Sequence, residues 1–252
     1  MVYGIYQSAA GMIVNQYRQA VLANNLANLD TVGFKHDLTI VRERKVETAE
    51  DALSGRLSDR ILDRMTGGSL VAPTVTSFRQ GEIQVTGRET DVAIEGNGFF
   101  AVSDGAKTRY TRDGRFSINN EGLLVTAGGR PVLDDRGKTI SVPETARGRI
   151  RIGEDGTVRS GDEAFARIGL VDFADRSRLC KVGANMFEAV GTRAEAVSPR
   201  LRTNSLESST VDPTKAMVAM IEVSRAYEIN ANLVSMADTT LSRAVNDIGR
   251  IQ

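Results

Sequence analysis

The chain has 252 residues, enough for one or two domains, and carries no net charge because 32 Lys and Arg residues balance 32 Asp and Glu residues. A nucleic-acid-binding protein normally has a basic excess that neutralises phosphates, so nucleic acid is not expected as a partner. One cysteine, Cys180, and one histidine, His36, are too few ligands for a zinc, haem or iron–sulfur centre. No apolar run reaches the ~18 to 20 residues that cross a bilayer, so no transmembrane segment is expected.

Residues 1–35 are predicted to form an N-terminal region, made of a helix that ends near Asn28 to Thr31 and the short segment that follows it. Gly33 can take the left-handed conformation that closes a helix end, and Phe34 can then fold back onto apolar surface. The first fourteen residues place no Lys or Arg before their apolar residues, so no cleaved secretory signal peptide is expected. Within the helix, mostly apolar and small residues recur at three- and four-residue intervals, which is typical of a helix that packs against another helix. This N-terminal seam consists of Tyr6, Ala10, Ile13, Tyr17, Ala20, Asn24 and Ala27.

Residues 36–81 are predicted to connect this helix to the rest of the chain. The segment is rich in charge, and apolar residues follow a possible helix cap at Thr48 with helical spacing. These residues are Leu53, Leu57, Ile61, Leu62 and Met65. A short surface helix ended by the pair Gly67 and Gly68 is therefore expected.

Residues 82–205 are predicted to form an antiparallel, all-β domain. Of the 24 glycines, 20 lie between Gly55 and Gly191, where they accompany short alternating apolar runs. Asp-Gly and Gly-Gly dipeptides favour tight hairpin turns because glycine accepts a positive φ. The turn dipeptides begin at Asp104, Asp113, Glu121, Gly128, Arg136 and Asp155. The predicted strands include residues 115–118, 123–126, 139–142 and 168–173.

Residues 206–252 are predicted to contain a long helix that begins at Pro213 with Asp212 as its N-cap. At 1.5 Å per residue it would be about 55 Å long. Its seam has the same spacing as that of the N-terminal helix and consists of Met220, Val223, Tyr227, Asn230, Val234, Ala237, Leu241, Ala244 and Ile248. Coiled-coil-like pairing of the two ends is expected, with Asn24 and Asn230 as the polar members that fix the register. Asn24, Asn25 and Asn28 are expected to set register and to cap backbone groups. Two unrelated amphipathic helices on a globular core are the alternative.

No catalytic, cofactor-binding or metal-ligating residues are predicted. Residues 96–101, Gly-Asn-Gly-Phe-Phe-Ala, match a dinucleotide-binding pattern, but a strand and a hairpin turn follow where that site needs a helix. Acidic residues such as Asp134 and Asp155 lie beside turn glycines, where they usually cap the turn. A nucleotide-dependent enzyme that uses Gly96 to Ala101 is therefore the less favoured alternative to a structural protein, and no small-molecule substrate is expected.

Four parts of the sequence resemble the flagellar rod and hook protein family. Residues 23–35, Ala-Asn-Asn-Leu-Ala-Asn-Leu-Asp-Thr-Val-Gly-Phe-Lys, resemble its signature segment. Residues 91–100, residues 110–116 with 122–129, and residues 220–230 resemble later segments in the same order. The matching residues are Asn24, Asn25, Leu26, Ala27, Asn28, Thr31, Gly33, Phe34, Lys35, Gly96, Gly98, Phe99, Phe100, Arg112, Gly114, Arg225, Ala226, Tyr227 and Glu228.

The resemblance implies an α+β axial protein of the bacterial flagellum whose paired terminal helices form the inner layer of a tube. It further implies a β-rich outer domain, and copies of the chain and other rod or hook proteins as partners. Export by the flagellar type III apparatus and a place in the periplasm-spanning rod are also implied, as are terminal helices that fold on assembly. A proximal rod subunit of the F type fits best. A distal rod or hook subunit is the close alternative, and an adhesin or phage-tail component is a more distant one.

Overall fold

The computed structural model describes residues 2–44, 68–105, 107–144, 150–161, 163–197 and 199–248. The short helix predicted between Thr48 and Met65 lies outside these residues. The described chain has a long helix near each end and an antiparallel, β-rich centre, so it belongs to the α+β class. It divides into two compact units. The helical unit comprises the described residues of 1–27, 37–75 and 212–252, and the β unit comprises those of 28–36 and 76–211.

The helical unit is built from two helices and most of a two-stranded ribbon. Helix α1 spans Val2–Ala27, and helix α2 spans Pro213–Ile248. The two helices pack against each other, and α1 also packs against strand β1. Strand β1, Asp37–Glu43, pairs with β2, Ser69–Thr76. Sequence analysis did not predict this ribbon within residues 36–81, although the alternation of Leu38 and Ile40 with polar residues is a strand pattern.

The β unit contains fifteen described strands, most of them three to five residues long. They are β3 Ile83–Val85, β4 Val92–Ile94, β5 Phe99–Asp104, β6 Lys107–Thr111, β7 Phe116–Ile118, β8 Leu124–Thr126, β9 Ile150–Ile152, β10 Thr157–Ser160, β11 Glu163–Arg167, β12 Leu170–Phe173, β13 Leu179–Lys181, β14 Met186–Ala189, β15 Ala194–Ala196, β16 Leu201–Thr203 and β17 Ser205–Glu207. The largest sheet has the order β13-β14-β6-β5-β12-β15, and β9 to β11 form a three-stranded sheet. Strands β4 and β16, β3 and β17, and β7 and β8 form antiparallel pairs.

Strand β5 connects two hydrophobic cores because successive side chains of a strand point to opposite faces. Phe100 belongs to an aliphatic core with Val92, Leu124 and Leu201, and its ring meets that of Phe116 edge-on at 5.1 Å. Phe99 belongs to an aromatic core. Its members and neighbours include Phe78, Tyr110, Phe173 and Phe187, with ring centroids 4.8–5.9 Å apart. Both phenylalanines are fully buried, so each contributes a whole aromatic side chain to one of the two cores of the β unit.

The predicted turns are largely confirmed. Five of the six turn dipeptides place a glycine at positive φ, and Asp134 and Asp155 accept backbone N–H groups two residues ahead, as turn caps do. Gly114 differs, since its φ is not positive. A Cβ there would overlap the carbonyl oxygen of Val92, so glycine permits close approach of two backbone segments. Residues 139–142 form isolated bridges and no continuous strand.

In the described part of the chain, neither helix combines the length and apolar character that crossing a membrane requires.

Candidate functional site

The face of α2 that packs towards α1 carries the C-terminal seam. Val223 is buried, and the other described seam side chains are half-buried, whereas most of their neighbours on the helix are exposed. The half-buried members are Met220, Tyr227, Asn230, Val234, Ala237, Leu241 and Ala244. Ser224, beside this face, accepts a hydrogen bond from Gln19 of α1 at 3.3 Å. The side chain of Ile248 is outside the described residues.

The face of α1 that packs towards α2 differs from the expected N-terminal seam. Tyr6 is 71% exposed and Ile13 is 64% exposed, and Ala20, Asn24 and Ala27 are also exposed. Ala10 and Tyr17 are half-buried. The buried side chains are instead Val14, Asn15 and Asn25, which lie about 90° to 170° around the helix from the centre of the expected seam. Gly11 lies beside the buried side chains, and its missing side chain leaves room for Asn230 of α2. Asn25 instead faces β1, against which α1 also packs.

Asn24 and Asn230 do not form the expected amide pair. Asn24 is exposed, and the amide of Asn230 lies against Gly11, where a Cβ would be 3.0 Å from Asn230 Nδ2. The neighbouring residue, Asn25, is the buried asparagine. Its side chain donates to the Asp37 carbonyl at 2.8 Å and accepts from the Asp37 N–H at 3.0 Å. Asn25 therefore fixes the start of β1, and Asn230 fits the gap at Gly11.

Replacing Gly11 with valine is expected to weaken the packing of α1 on α2 by about 1 to 3 kcal/mol, because the added branches overpack the contact with Asn230. Gly4→Val is the matched control, since both glycines lie in α1 and no heavy atom would lie within 4 Å of a Cβ at Gly4. The measurement is the thermal loss of helical circular dichroism in the purified chain. Equal melting temperatures for the two variants would contradict the close contact.

The start of α2 is as predicted. Pro213 is the first helical residue, and the Asp212 carboxylate accepts the Lys215 N–H at 3.1 Å. This N–H bond is the main cause that lowers the pKa of Asp212, and the Lys215 side chain adds to it. Asp212 therefore acts as the N-cap of the helix.

Asp212→Ala is expected to lower the melting temperature of the helical unit at neutral pH, because it removes the cap. The folded-state pKa of Asp212 lies below its unfolded value, so the cap stabilises fully above the unfolded pKa and is lost as pH falls through the folded pKa. The melting temperatures of the variant and the wild type should therefore become equal at acidic pH. Asp238→Ala, an exposed change inside the same helix, is the control. A difference in melting temperature between Asp212→Ala and the wild type that persisted at low pH would contradict this role of the carboxylate.

The segment after α1 belongs to the β unit and begins with a turn at Asn28 to Thr31. Thr31 donates its N–H to the Asn28 carbonyl at 3.3 Å and its hydroxyl to the Asn28 side chain at 3.1 Å. Gly33 has the positive φ that was predicted, +67°. It does not close the helix, which ends at Ala27. Its N–H donates to the Glu207 carbonyl at 2.6 Å, and a Cβ would lie 2.6 Å from the Arg112 carbonyl, so glycine serves a close approach between backbones.

A buried ion cluster follows directly after Gly33. Lys35 is completely buried, and its Nζ lies 2.5 Å from Glu207 Oε1 and 2.6 Å from the Arg79 carbonyl oxygen. Arg112 is 3% exposed, and its Nη1 lies 3.2 Å from Glu207 Oε2. Glu207 Oε1 also accepts the Gly81 N–H at 2.7 Å. We call Lys35, Arg112 and Glu207 the ion cluster; it joins residues that are up to 172 positions apart.

The ion cluster contains two cations and one carboxylate, so its formal charge is +1. Burial is the largest cause that lowers the pKa of Lys35; Glu207 opposes the shift and Arg112 adds to it. Burial likewise lowers the pKa of Arg112 against the attraction of Glu207. Arg112 Nη2 donates to the Gly96 carbonyl at 2.9 Å, and its guanidinium lies 5.2 Å from the ring centroid of Phe99. Among the described residues Glu207 bonds both buried cations of the cluster, and Asp172 adds a weaker attraction to Arg112.

The backbone on either side of Lys35 is hydrogen-bonded to distant parts of the β unit. Asn185 donates to the Val32 carbonyl at 2.6 Å, and Lys181 donates to the Lys35 carbonyl at 2.5 Å while its Nζ lies 4.2 Å from the ring centroid of Phe34. The N–H of Thr210 donates to the Phe34 carbonyl at 3.0 Å. Phe34 is buried, as the sequence suggested. Residues 32–36 are therefore an integral part of the β unit.

Both backbone polar groups of Gly96, in the loop at residues 96–101, form hydrogen bonds with side chains of the β unit. Gly96 accepts from Arg112 through its carbonyl and donates its N–H to Gln80 at 3.0 Å. Strand β5 and the turn at Gly105 follow, as predicted, where a dinucleotide-binding loop has a helix. In the described structure the loop therefore helps to position the Arg112 guanidinium, through the Gly96 carbonyl.

Sequence reasoning singled out Lys35 and Arg112 but missed Glu207, Lys181, Asn185 and Thr210. No local sequence pattern marks Glu207, which ends the short strand β17 and is buried there together with Ser205 and Leu206. Of the C-terminal family residues, Arg225 and Glu228 are exposed on α2, and Ala226 and Tyr227 are half-buried.

Comparisons with known proteins agree with this architecture. Residues 5–35 match the model described as "Flagella basal body rod protein", residues 93–160 match "Flagellar hook protein FlgE/F/G D1 domain", and residues 202–247 match "Flagellar basal body rod FlgEFG protein C-terminal". These three matches include Lys35, Arg112 and Glu207.

Curated relatives cover nearly the whole chain. The flagellar basal-body rod protein FlgF of Caulobacter vibrioides is 36% identical over 235 residues, which are 92% of this chain and 91% of the relative. FlgG of Bacillus subtilis is 33% identical over 98% of this chain and 99% of its own length, and FlgF of Mesorhizobium japonicum is 30% identical over 97% of each. The chain therefore belongs to the flagellar basal-body rod protein family that includes FlgF and FlgG, and it is a structural subunit of the flagellar basal body.

Proposed function

We propose that this chain is a proximal rod subunit of the F type, which polymerises through coiled-coil-like packing of its terminal helices into the hollow shaft that transmits torque to the hook. The observation that carries the proposal is a second apolar face on α2. Its side chains are between 45% and 60% exposed, although they are large and apolar. They are Met217, Val218, Ile221, Ile229, Leu233 and Met236.

The exposed face of α2 lies roughly opposite the seam that packs towards α1. At 100° per residue, its members fall within an arc of about 160°, centred about 150° from the centre of the seam. A helix that is apolar on two sides has partners on two sides. An exposed apolar stripe of this extent on a single chain favours an interaction surface.

Helix α1 also has an exposed apolar side, which carries Tyr6 and Ile13. These residues belong to the seam that the sequence predicted. We infer that the N-terminal seam packs against helices of neighbouring subunits, while the Gly11 side packs against α2 of the same chain. Contacts between different surfaces of identical subunits that do not close a ring generate a helical filament.

Copies of this chain and other rod or hook proteins are the proposed partners, and the periplasm-spanning rod is the proposed location. Export by the flagellar type III apparatus is part of the same proposal and rests on family membership. The relative from Caulobacter vibrioides favours the F type, whereas the relative from Bacillus subtilis is named FlgG and keeps the distal rod as the second candidate.

The test is Ile229→Glu in a motile host whose own copy of this gene has been deleted. A charge on the exposed face should abolish swimming and leave basal bodies without a complete rod, because a carboxylate would be buried at the contact between subunits. Val190→Glu is the matched control, since Val190 is 56% exposed but lies in the β unit. The far-ultraviolet circular dichroism of each purified variant shows whether it is folded.

Normal swimming of the folded Ile229→Glu variant would overturn the proposed assembly surface. The subtype is tested separately by expressing the chain in strains that lack either their FlgF or their FlgG. Rescue of the strain without FlgF supports the F type, and rescue only of the strain without FlgG assigns the distal rod.

A further inference from the structure

We propose that the ion cluster makes residues 32–36 and residues 205–210 dock onto the β unit in one cooperative step, so that neither segment stays in place without the other. The two segments are the part of the chain that follows α1 and the part that precedes α2. Their coupling would be a conformational device within the β unit, and it does not depend on the subtype or on the assembly surface proposed above.

The charges supply the first link. If residues 205–210 left the β unit, Lys35 and Arg112 would remain buried without their carboxylate. An unpaired buried cation is costly, so Lys35 would be expelled and would take residues 32–36 with it. Glu207 lies 2.5 Å from Lys35 and 3.2 Å from Arg112, which is close enough for both cations to share one carboxylate.

The backbone supplies the second link. Strand β17 has three residues and pairs with β3 along one edge. At its end, the Glu207 carbonyl accepts the N–H of Gly33. A strand this short is marginal with one neighbour, so removal of Gly33 would loosen β17 as well as expose the carboxylate.

Thr210 supplies the third link and extends the coupling to both ends of the segment. Its hydroxyl accepts the His36 N–H at 3.0 Å and donates to the Phe34 carbonyl at 3.3 Å. The His36 carbonyl in turn accepts the Ser77 N–H at 2.9 Å. His36, Ser77 and Thr210 lie within two residues of three of the four positions where the chain passes between the units. These hydrogen bonds therefore connect three parts of the β unit, each of which lies next to a position where the chain leaves that unit.

Hydrogen–deuterium exchange of the purified full chain tests the coupling in both directions. Lys35→Met should speed exchange of the Ser208 and Thr210 amides at least tenfold, and Glu207→Gln should do the same for Gly33 and His36. Coupling between two segments is reciprocal by thermodynamic linkage, so each change must reach the other segment. The amides of Leu133 and Val132, which bond inside the core of the β unit, report global opening.

Two comparisons separate the proposal from general destabilisation. The segment amides must accelerate more than the core amides, and Glu154→Gln, which breaks the exposed pair of Glu154 and Arg200, must leave all of them unchanged. Thr210→Val should raise exchange of His36 without touching a charge. If Lys35→Met accelerated only residues 32–36, or Glu207→Gln accelerated only β17 and β3, the two segments would dock independently and the proposal would be overturned. Equal acceleration of segment and core amides would also overturn it.

Discussion

Replacing Glu207 with glutamine is expected to lower the free energy of unfolding of the β unit by about 3 to 5 kcal/mol, the usual cost of removing one partner from a buried ion pair. Glutamine keeps the volume of the side chain but leaves Lys35 and Arg112 as uncompensated cations, and both are at most 3% exposed. The measurement is urea unfolding of the full chain, followed by the near-ultraviolet circular dichroism of the aromatic core.

The matched control is Glu154→Gln, which makes the same chemical change in the β unit. Glu154 pairs with Arg200 at 3.0 Å, but the two side chains are 61% and 71% exposed, and such surface pairs contribute about 0 to 1 kcal/mol. Lys35→Met should cost less than Glu207→Gln, because Arg112 and Glu207 remain as a neutral pair. If Glu207→Gln cost no more than Glu154→Gln, the carboxylate would not stabilise the fold.

Replacing Gly33 with alanine is expected to lower the free energy of unfolding of the β unit by about 2 to 5 kcal/mol. A left-handed backbone costs a residue with a Cβ about 1 to 2 kcal/mol, and overpacking adds about 1 to 3 kcal/mol. The second contribution arises because the new Cβ would lie 2.6 Å from the Arg112 carbonyl, which is backbone and cannot rotate away. The same urea experiment measures the loss.

Gly105→Ala separates the two contributions. Gly105 has nearly the same φ, +68° against +67° at Gly33, but no heavy atom would lie within 4 Å of a Cβ there. It should therefore show the conformational cost alone. Equal losses at the two positions would mean that the Arg112 backbone moves freely. Gly33→Val should in addition block rod assembly, and normal swimming of a cell that carries it would contradict the importance of this position.

Local sequence rules predicted the elements that depend on neighbouring residues. The N-cap at Asp212, the turn glycines and the face of α2 that packs towards α1 all follow from short-range geometry, since a cap, a positive φ and a helical period are properties of a few consecutive residues. The β1–β2 ribbon was missed because its partner strands lie outside any short window, and its first strand was treated as part of a charged connection.

The sequence by itself determined that two long helices flank an antiparallel β domain, that Lys35 and Arg112 belong to a family pattern, and that α2 has an apolar seam. Only the tertiary structure decided which side of α1 packs towards α2, because the helical period does not tell which of several sides meets a partner; Gly11, against which Asn230 lies, was not part of the predicted seam. It also decided the role of Lys35. A buried cation requires a carboxylate, and Glu207 lies 172 residues away, a distance that no periodicity or turn signal spans.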